Sequence, residues 1–152
     1  MGNRLDYLAR AREHVEGSVG RVVQCSGIYE SEPWGFNHEW AFLNQAIRVE
    51  TGLDGESLLS GLISIEMALG RVRGEAGYAP RTMDIDIMFI DGMILSTPVL
   101  EVPHPKLHLR RFALEPLCEI APNLIHPRLN QCLSKLLETC PDKLRVWRFN
   151  GV

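Results

Sequence analysis

Asp84 and Asp86 stand at i and i+2 in Arg81-Thr82-Met83-Asp84-Ile85-Asp86-Ile87-Met88, a run whose apolar spacing predicts a β-strand. Strand side chains alternate between faces, so the two carboxylates share one face while Ile85, Ile87 and Phe89 share the other. Like charges this close repel unless a cation sits between them, and a hard divalent ion such as Mg²⁺ prefers oxygen ligands. Arg71, Arg73 and Arg81 lead into the pair. Guanidinium groups recognise oxygen-rich anions, so the metal's expected partner is a polyphosphate. A lone Asp-x-Asp is ordinarily the solvated side of an amphipathic strand; the arginines distinguish this one.

Other polar groups need an account of their own. Asn44 lies in an apolar run and must find hydrogen-bond partners there. Glu66 stands one turn ahead of the arginines, where it can hold a guanidinium or a ligand hydroxyl. Trp34 and Phe36 fall in a Pro/Gly-marked loop, either capping the core edge or facing a ligand. Gly74 to Pro80 reads as a flexible loop able to close over a substrate. No G-x-x-x-x-G-K-[ST] run is present, which excludes a P-loop as the phosphate cradle.

The elements that position these groups follow from periodicity. Helices are predicted from Asn3 to Val15 (Leu5, Leu8 and Val15 inward, Gly17 as the stop), from an Asp54 N-cap to Gly70, and from Leu129 to Cys140. The second buries Leu58, Leu62, Ile65 and Leu69; the third buries Leu129, Leu133, Leu136 and Cys140. Strands are predicted over Arg21–Tyr29, 41–51 and Leu144–Phe149. The acidic strand returns through Asp91-Gly92 into Met93-Ile94-Leu95 as a hairpin. His104 is held between Pro103 and Pro105 in an extended segment, and Arg110, Arg111 and Phe112 open a short helix. The expected class is α+β, one antiparallel sheet with packed helices, in a single domain over 1–152.

With 152 residues, 45% hydrophobic and 23% charged, the chain has the composition of a globular protein with one proper core. A net charge of −3 argues against general nucleic-acid binding. Cys25, Cys118, Cys132 and Cys140 lack CxxC spacing and are expected as buried thiols rather than a zinc site. His14 and His38 are expected at the surface. No signal peptide or long apolar span is seen, so a cytoplasmic location with no membrane partner is expected.

Taken together, Arg71-Val72-Arg73, Pro80-Arg81-Thr82-Met83-Asp84-Ile85-Asp86-Ile87, Val102-Pro103-His104-Pro105 and Glu119-Ile120-Ala121-Pro122 closely resemble the 6-hydroxymethyl-7,8-dihydropterin pyrophosphokinases of folate biosynthesis. The resemblance runs from about Asn3 to about Pro127. It implies a ferredoxin-like fold and transfer of pyrophosphate from ATP to the pterin hydroxymethyl group, releasing AMP. By position it implies that Asp84 and Asp86 hold two Mg²⁺ ions. ATP would be bound by Glu66, Arg71, Arg73, Arg81, Ile87, His104 and Arg110, with Arg73 and Arg81 catalytic. The pterin would be bound by Ser31, Trp34, Phe42, Asn44, Tyr78 and Phe112. The family also starts with a hydrophobic strand ahead of the first helix. This sequence begins just after that point, so the first strand is expected to be missing, and a partner chain filling the gap would make a homodimer. Two other functions fit an Asp-x-Asp on this fold: a different Mg²⁺-dependent nucleotide-using transferase, and a ferredoxin-like module that binds ligand without catalysis.

Overall fold

A computed structural model of the chain describes residues 3–32, 42–72 and 83–150. The element order is α1 (Asn3–Ser18), β1 (Arg21–Cys25), β2 (Tyr29–Ser31), β3 (Phe42–Asn44), β4 (Ile47–Glu50), α2 (Gly55–Val72), β5 (Leu95–Ser96), β6 (Glu101–Val102), α3 (Arg111–Ile120), α4 (Leu133–Glu138) and β7 (Val146–Arg148). Helices and antiparallel ladders are mixed, as expected for α+β. Among the described residues the strands form three small sheets rather than one: β1-β4, β3-β2-β7 and β5-β6. The chain divides into two compact units, Met1–Val23 with Arg48–Ile87, and Gln24–Ile47 with Met88–Val152.

In the first unit α1 packs on α2. The buried face of α1 is Tyr7, Ala11 and Val15, continued by Val19, a run of i, i+4 steps that meets Leu62, Ile65 and Leu69 of α2. Leu5, expected inward, lies off that row and is exposed. Gly17 does not end α1, which continues to Ser18. Asp54 caps α2 as expected, its Oδ1 accepting the Ser57 N–H at 2.8 Å. Gly20 is required by close approach, because a Cβ there would collide with the Glu50 carbonyl oxygen.

The two long strands predicted over Arg21–Tyr29 and 41–51 are each broken in two. Ser26, almost fully buried, makes the link: its N–H donates to the Ala46 carbonyl (2.8 Å), and its Oγ accepts the Ala46 N–H (3.0 Å). The Gln45 side chain donates to the Ser26 carbonyl at 2.7 Å. Side-chain bonds thus take over from ladder bonds at the break.

The second unit is built on α3. Leu107, Ala113, Leu114, Leu133, Leu136 and Cys140 form its core, with Met88, Phe89 and Phe112 packed against it. In the three-stranded sheet β2 is central, with Tyr29, Glu30 and Ser31 opposite Asn44, Leu43 and Phe42 on one side and opposite Arg148, Trp147 and Val146 on the other. Asp91-Gly92 forms a turn, with Asp91 at φ 50° and the Met93 N–H bonded to the Ile90 carbonyl at 2.9 Å. The ladder after it differs from expectation: β5 pairs with β6 through Thr97 to Leu100.

The predicted helix over Leu129–Cys140 is reduced to Leu133–Glu138, and Leu129 is exposed. Asn130 is left-handed at φ 58°, which a helix does not tolerate. Buried His126 dictates the turn, its Nδ1 accepting the Arg128 and Leu129 N–H groups at 3.1 Å each. Burial, then the neighbouring charges of His108 and Arg128, hold the His126 pKa below its usual 6.5. The folded protein therefore keeps this imidazole neutral while the unfolded chain takes up a proton first. Stability present above about pH 6.5 drains as pH falls from that value through the folded pKa. His126→Asn keeps an acceptor and does not titrate. Between about pH 7.5 and about pH 5.5 the parent is expected to lose more of its thermal midpoint than this variant, and equal losses would refute the assignment.

The cysteines are less buried than expected. Cys140 alone of the four is buried; Cys25 is exposed, Cys118 and Cys132 are half-buried, and all four are free. Burial, then nearby Glu115, pushes the Cys118 thiol up to about 11. His14 is exposed, as expected, and His38 lies outside the described residues.

Candidate active site

The first unit carries the acidic pair. Asp84 and Asp86 are exposed while Met83, Ile85 and Ile87 are half-buried, so the predicted alternation of faces holds. The predicted strand does not form: residues 83–89 have no ladder partner among the described residues. The Ile85 N–H, between the two aspartates, donates instead to Glu66 Oε2 at 2.6 Å, a short charge-assisted bond. Glu66 projects from α2 beside the buried stripe of Leu62, Ile65 and Leu69, and is itself half-buried. It thus engages a backbone amide. Its spacing to that stripe was legible; a partner nineteen residues downstream was not.

Among the described residues no three His, Cys, Asp or Glu groups converge as a metal cage. Two exposed carboxylates are nonetheless a donor set that Mg²⁺ uses, since it binds one or two carboxylates and completes its shell with water and substrate phosphate oxygens.

The second unit carries four of the expected pterin groups, Ser31, Phe42, Asn44 and Phe112, and two expected nucleotide groups, His104 and Arg110. Ser31 of β2 is buried at 3% exposure, and Asn44 of β3 donates through Nδ2 to its Oγ at 3.2 Å. The amide in the apolar run has found a partner, and both residues belong to the expected set. Phe42 lies opposite Ser31 in the ladder and is 44% exposed.

Phe112 sits in the first turn of α3, half-buried against the core, and the Arg110 guanidinium lies 5.8 Å from its ring centroid. A cation–π contact thus joins a residue expected at ATP to one expected at the pterin. His104 follows the cis Val102–Pro103 bond, and its N–H donates to the Met88 carbonyl at 3.0 Å. The segment turns rather than staying extended, with the Leu107 N–H returning to the His104 carbonyl at 3.2 Å. His104 Nδ1 accepts the Lys106 N–H at 3.2 Å, so the neutral ring carries its proton on Nε2.

Arg73, Arg81, Trp34, Tyr78 and the Gly74 to Pro80 loop lie outside the described residues, as does the Arg71 side chain. An open depression of about 530 Å³ lined by Arg111 and residues 142–147 contains none of the expected site residues.

Sequence reasoning missed Glu119 as more than a motif member. Its carboxylate accepts the Gly27 N–H (3.1 and 3.2 Å) and the Tyr29 hydroxyl (2.8 Å), and lies 3.7 Å from Arg148 Nη1. Arg148 in turn stacks on Tyr29, 5.3 Å from the ring centroid. Burial, then the bond to Glu119, raises the Tyr29 pKa. The positions are far apart in sequence, and no spacing rule joins them.

Comparison with known proteins adds an independent line. The family model for 7,8-dihydro-6-hydroxymethylpterin-pyrophosphokinase matches residues 1–122. The chain is similar to the 2-amino-4-hydroxy-6-hydroxymethyldihydropteridine pyrophosphokinase of Methylorubrum extorquens, 42% identical over 126 residues, covering 82% of this chain and 79% of that one. It is similar to the enzyme of the same name from Aquifex aeolicus, 37% identical over 127 residues (84% and 78%). A third, from Bacillus subtilis, is 35% identical over 150 residues, 97% of this chain and 85% of its own.

Proposed function

The chain belongs to the 7,8-dihydro-6-hydroxymethylpterin-pyrophosphokinase family, and on that premise we propose that Asp84 and Asp86 hold the Mg²⁺ of its reaction. It is an ATP-dependent pyrophosphokinase of folate synthesis, moving a pyrophosphoryl group from ATP to the hydroxymethyl group of the dihydropterin. The hydroxymethyl oxygen bonds to the β-phosphorus and loses its proton, the bond from that phosphorus to the αβ-bridging oxygen breaks, and AMP leaves. Catalysis of this kind is positioning and charge stabilisation more than covalent chemistry.

The observation that carries the assignment is the exposed, co-facial Asp84 and Asp86, held through the peptide between them. Asp84 and Asp86 would hold Mg²⁺, two ions in all, which would supply positive charge against the phosphates. Arg110 and His104 would supply donors to the triphosphate, with Arg71 and Ile87 beside the nucleotide and with Arg73 and Arg81 as catalytic cations. Asn44, fixed by Ser31, would read the polar edge of the pterin, and Phe112, with Phe42, Trp34 and Tyr78, would offer aromatic faces. A ferredoxin-like arrangement and a cytoplasmic location complete the reading. The first is supported by the antiparallel β3-β2-β7 sheet, and the second is compatible with the lack, among the described residues, of a helix long and apolar enough to cross a membrane.

Product analysis tests the reading. With ATP, Mg²⁺ and 6-hydroxymethyl-7,8-dihydropterin, AMP and the pterin diphosphate are expected to accumulate in equal amounts. ADP or free pyrophosphate would indicate another nucleotide-using transferase. Binding without turnover would indicate a non-catalytic module.

A further inference from the structure

Two carboxylates on a strand owe their spacing to the ladder that holds the strand. Here the ladder is missing among the described residues, and the peptide between Asp84 and Asp86 is tied instead to a side chain, Glu66, at 2.6 Å. Glu66 has a firm base. It is flanked on α2 by Leu62, Ile65 and Leu69, all buried, and these pack against α1. The bond therefore carries the rigidity of a helix pair to a segment that bears two like charges. A metal site needs its ligands pre-set, because a segment that must be ordered on binding loses affinity to that ordering.

We propose that Glu66 is a positioning residue, whose hydrogen bond to the Ile85 N–H sets the spacing of the Asp84 and Asp86 carboxylates before metal arrives. This rests on the reading of Asp84 and Asp86 as metal ligands. It assigns to Glu66 a task performed through the backbone. The task depends on the reach of the side chain and on an acceptor oxygen, and needs no negative charge.

Reach and charge can be separated. Glu66→Gln keeps the length and an acceptor oxygen and loses the charge; Glu66→Asp keeps the charge and falls one methylene short. The probe is Mn²⁺ with α,β-methylene-ATP, which cannot release AMP, followed by calorimetry on the full chain. The second readout is hydrogen exchange of the Ile85 amide in the metal-free protein. Glu66→Asp is expected to weaken Mn²⁺ binding roughly tenfold or more and to speed Ile85 exchange by roughly tenfold. Glu66→Gln is expected to stay within about threefold of the parent in both. The reverse order would show that charge is what matters and would overturn the proposal, as would parent-like behaviour of Glu66→Asp in both readouts. Asp86→Ala is the control for the premise. If Asp86→Ala binds Mn²⁺ as the parent does, the metal reading itself fails, whatever the Glu66 variants show.

Discussion

Asp86→Ala is expected to lower turnover by at least roughly 10²-fold while leaving thermal stability within about 0.5 kcal/mol of the parent. The two halves of the expectation have separate causes. Asp86 is exposed, so its removal opens no cavity and strands no buried partner. Removing one of two neighbouring negative charges also relieves repulsion, which favours the fold if it acts at all. Turnover suffers because the Mg²⁺ that would offset charge on the transferring group loses one of its two carboxylate ligands. Initial rates of AMP release at saturating ATP and Mg²⁺, set beside a melting curve of the same preparation, read both. Activity within about threefold of the parent would remove the carboxylate pair from the mechanism.

Leu114→Ala is expected to cost about 2–5 kcal/mol of stability, the range for truncating a fully buried leucine. Leu114 is 0% exposed and lies on α3, which packs against α4, β2, β3 and β7. Its neighbours in the core, Leu107 and Leu133, are also fully buried, so the space vacated has no loose side chain to fill it. For a chain of this size each kcal/mol shifts the midpoint by about 2–4 °C, which puts the expected drop near ~10 °C. Leu109→Ala is the matched control, since Leu109 is 45% exposed and its truncation is expected to move the midpoint little. Equal losses in the two variants would mean that α3 is not the centre of this core. The result bears on function because α3 begins with Arg111 and Phe112, directly after Arg110.

What was legible in the sequence was whatever a period or a local rule encodes. The alternation around Asp84 and Asp86, the Asp54 cap, the α2 stripe from Leu62 to Leu69 and the final strand at Val146–Arg148 all follow from neighbours a few residues away. Asn44 was rightly singled out as an amide in need of a partner, although spacing could not say that Ser31 would provide it. What was not legible depends on distant side chains that compete with the backbone. Glu66 takes the N–H that a strand neighbour would have used, Ser26 interrupts two strands at once, and His126 with Asn130 cuts the last helix to six residues. In each case a polar group offers the main chain a different partner, and hydrophobic periodicity does not register it.

The cluster around Glu119 bears on how this chain breathes. One carboxylate at the end of α3 meets the Gly27 amide, the Tyr29 phenol and the Arg148 guanidinium, so none of the three segments can fray without unseating the others. Small excursions that free a single strand are therefore suppressed in favour of rarer, larger ones that release the helix end and both strands together. Solvent would reach those amides in a common event, on a common timescale.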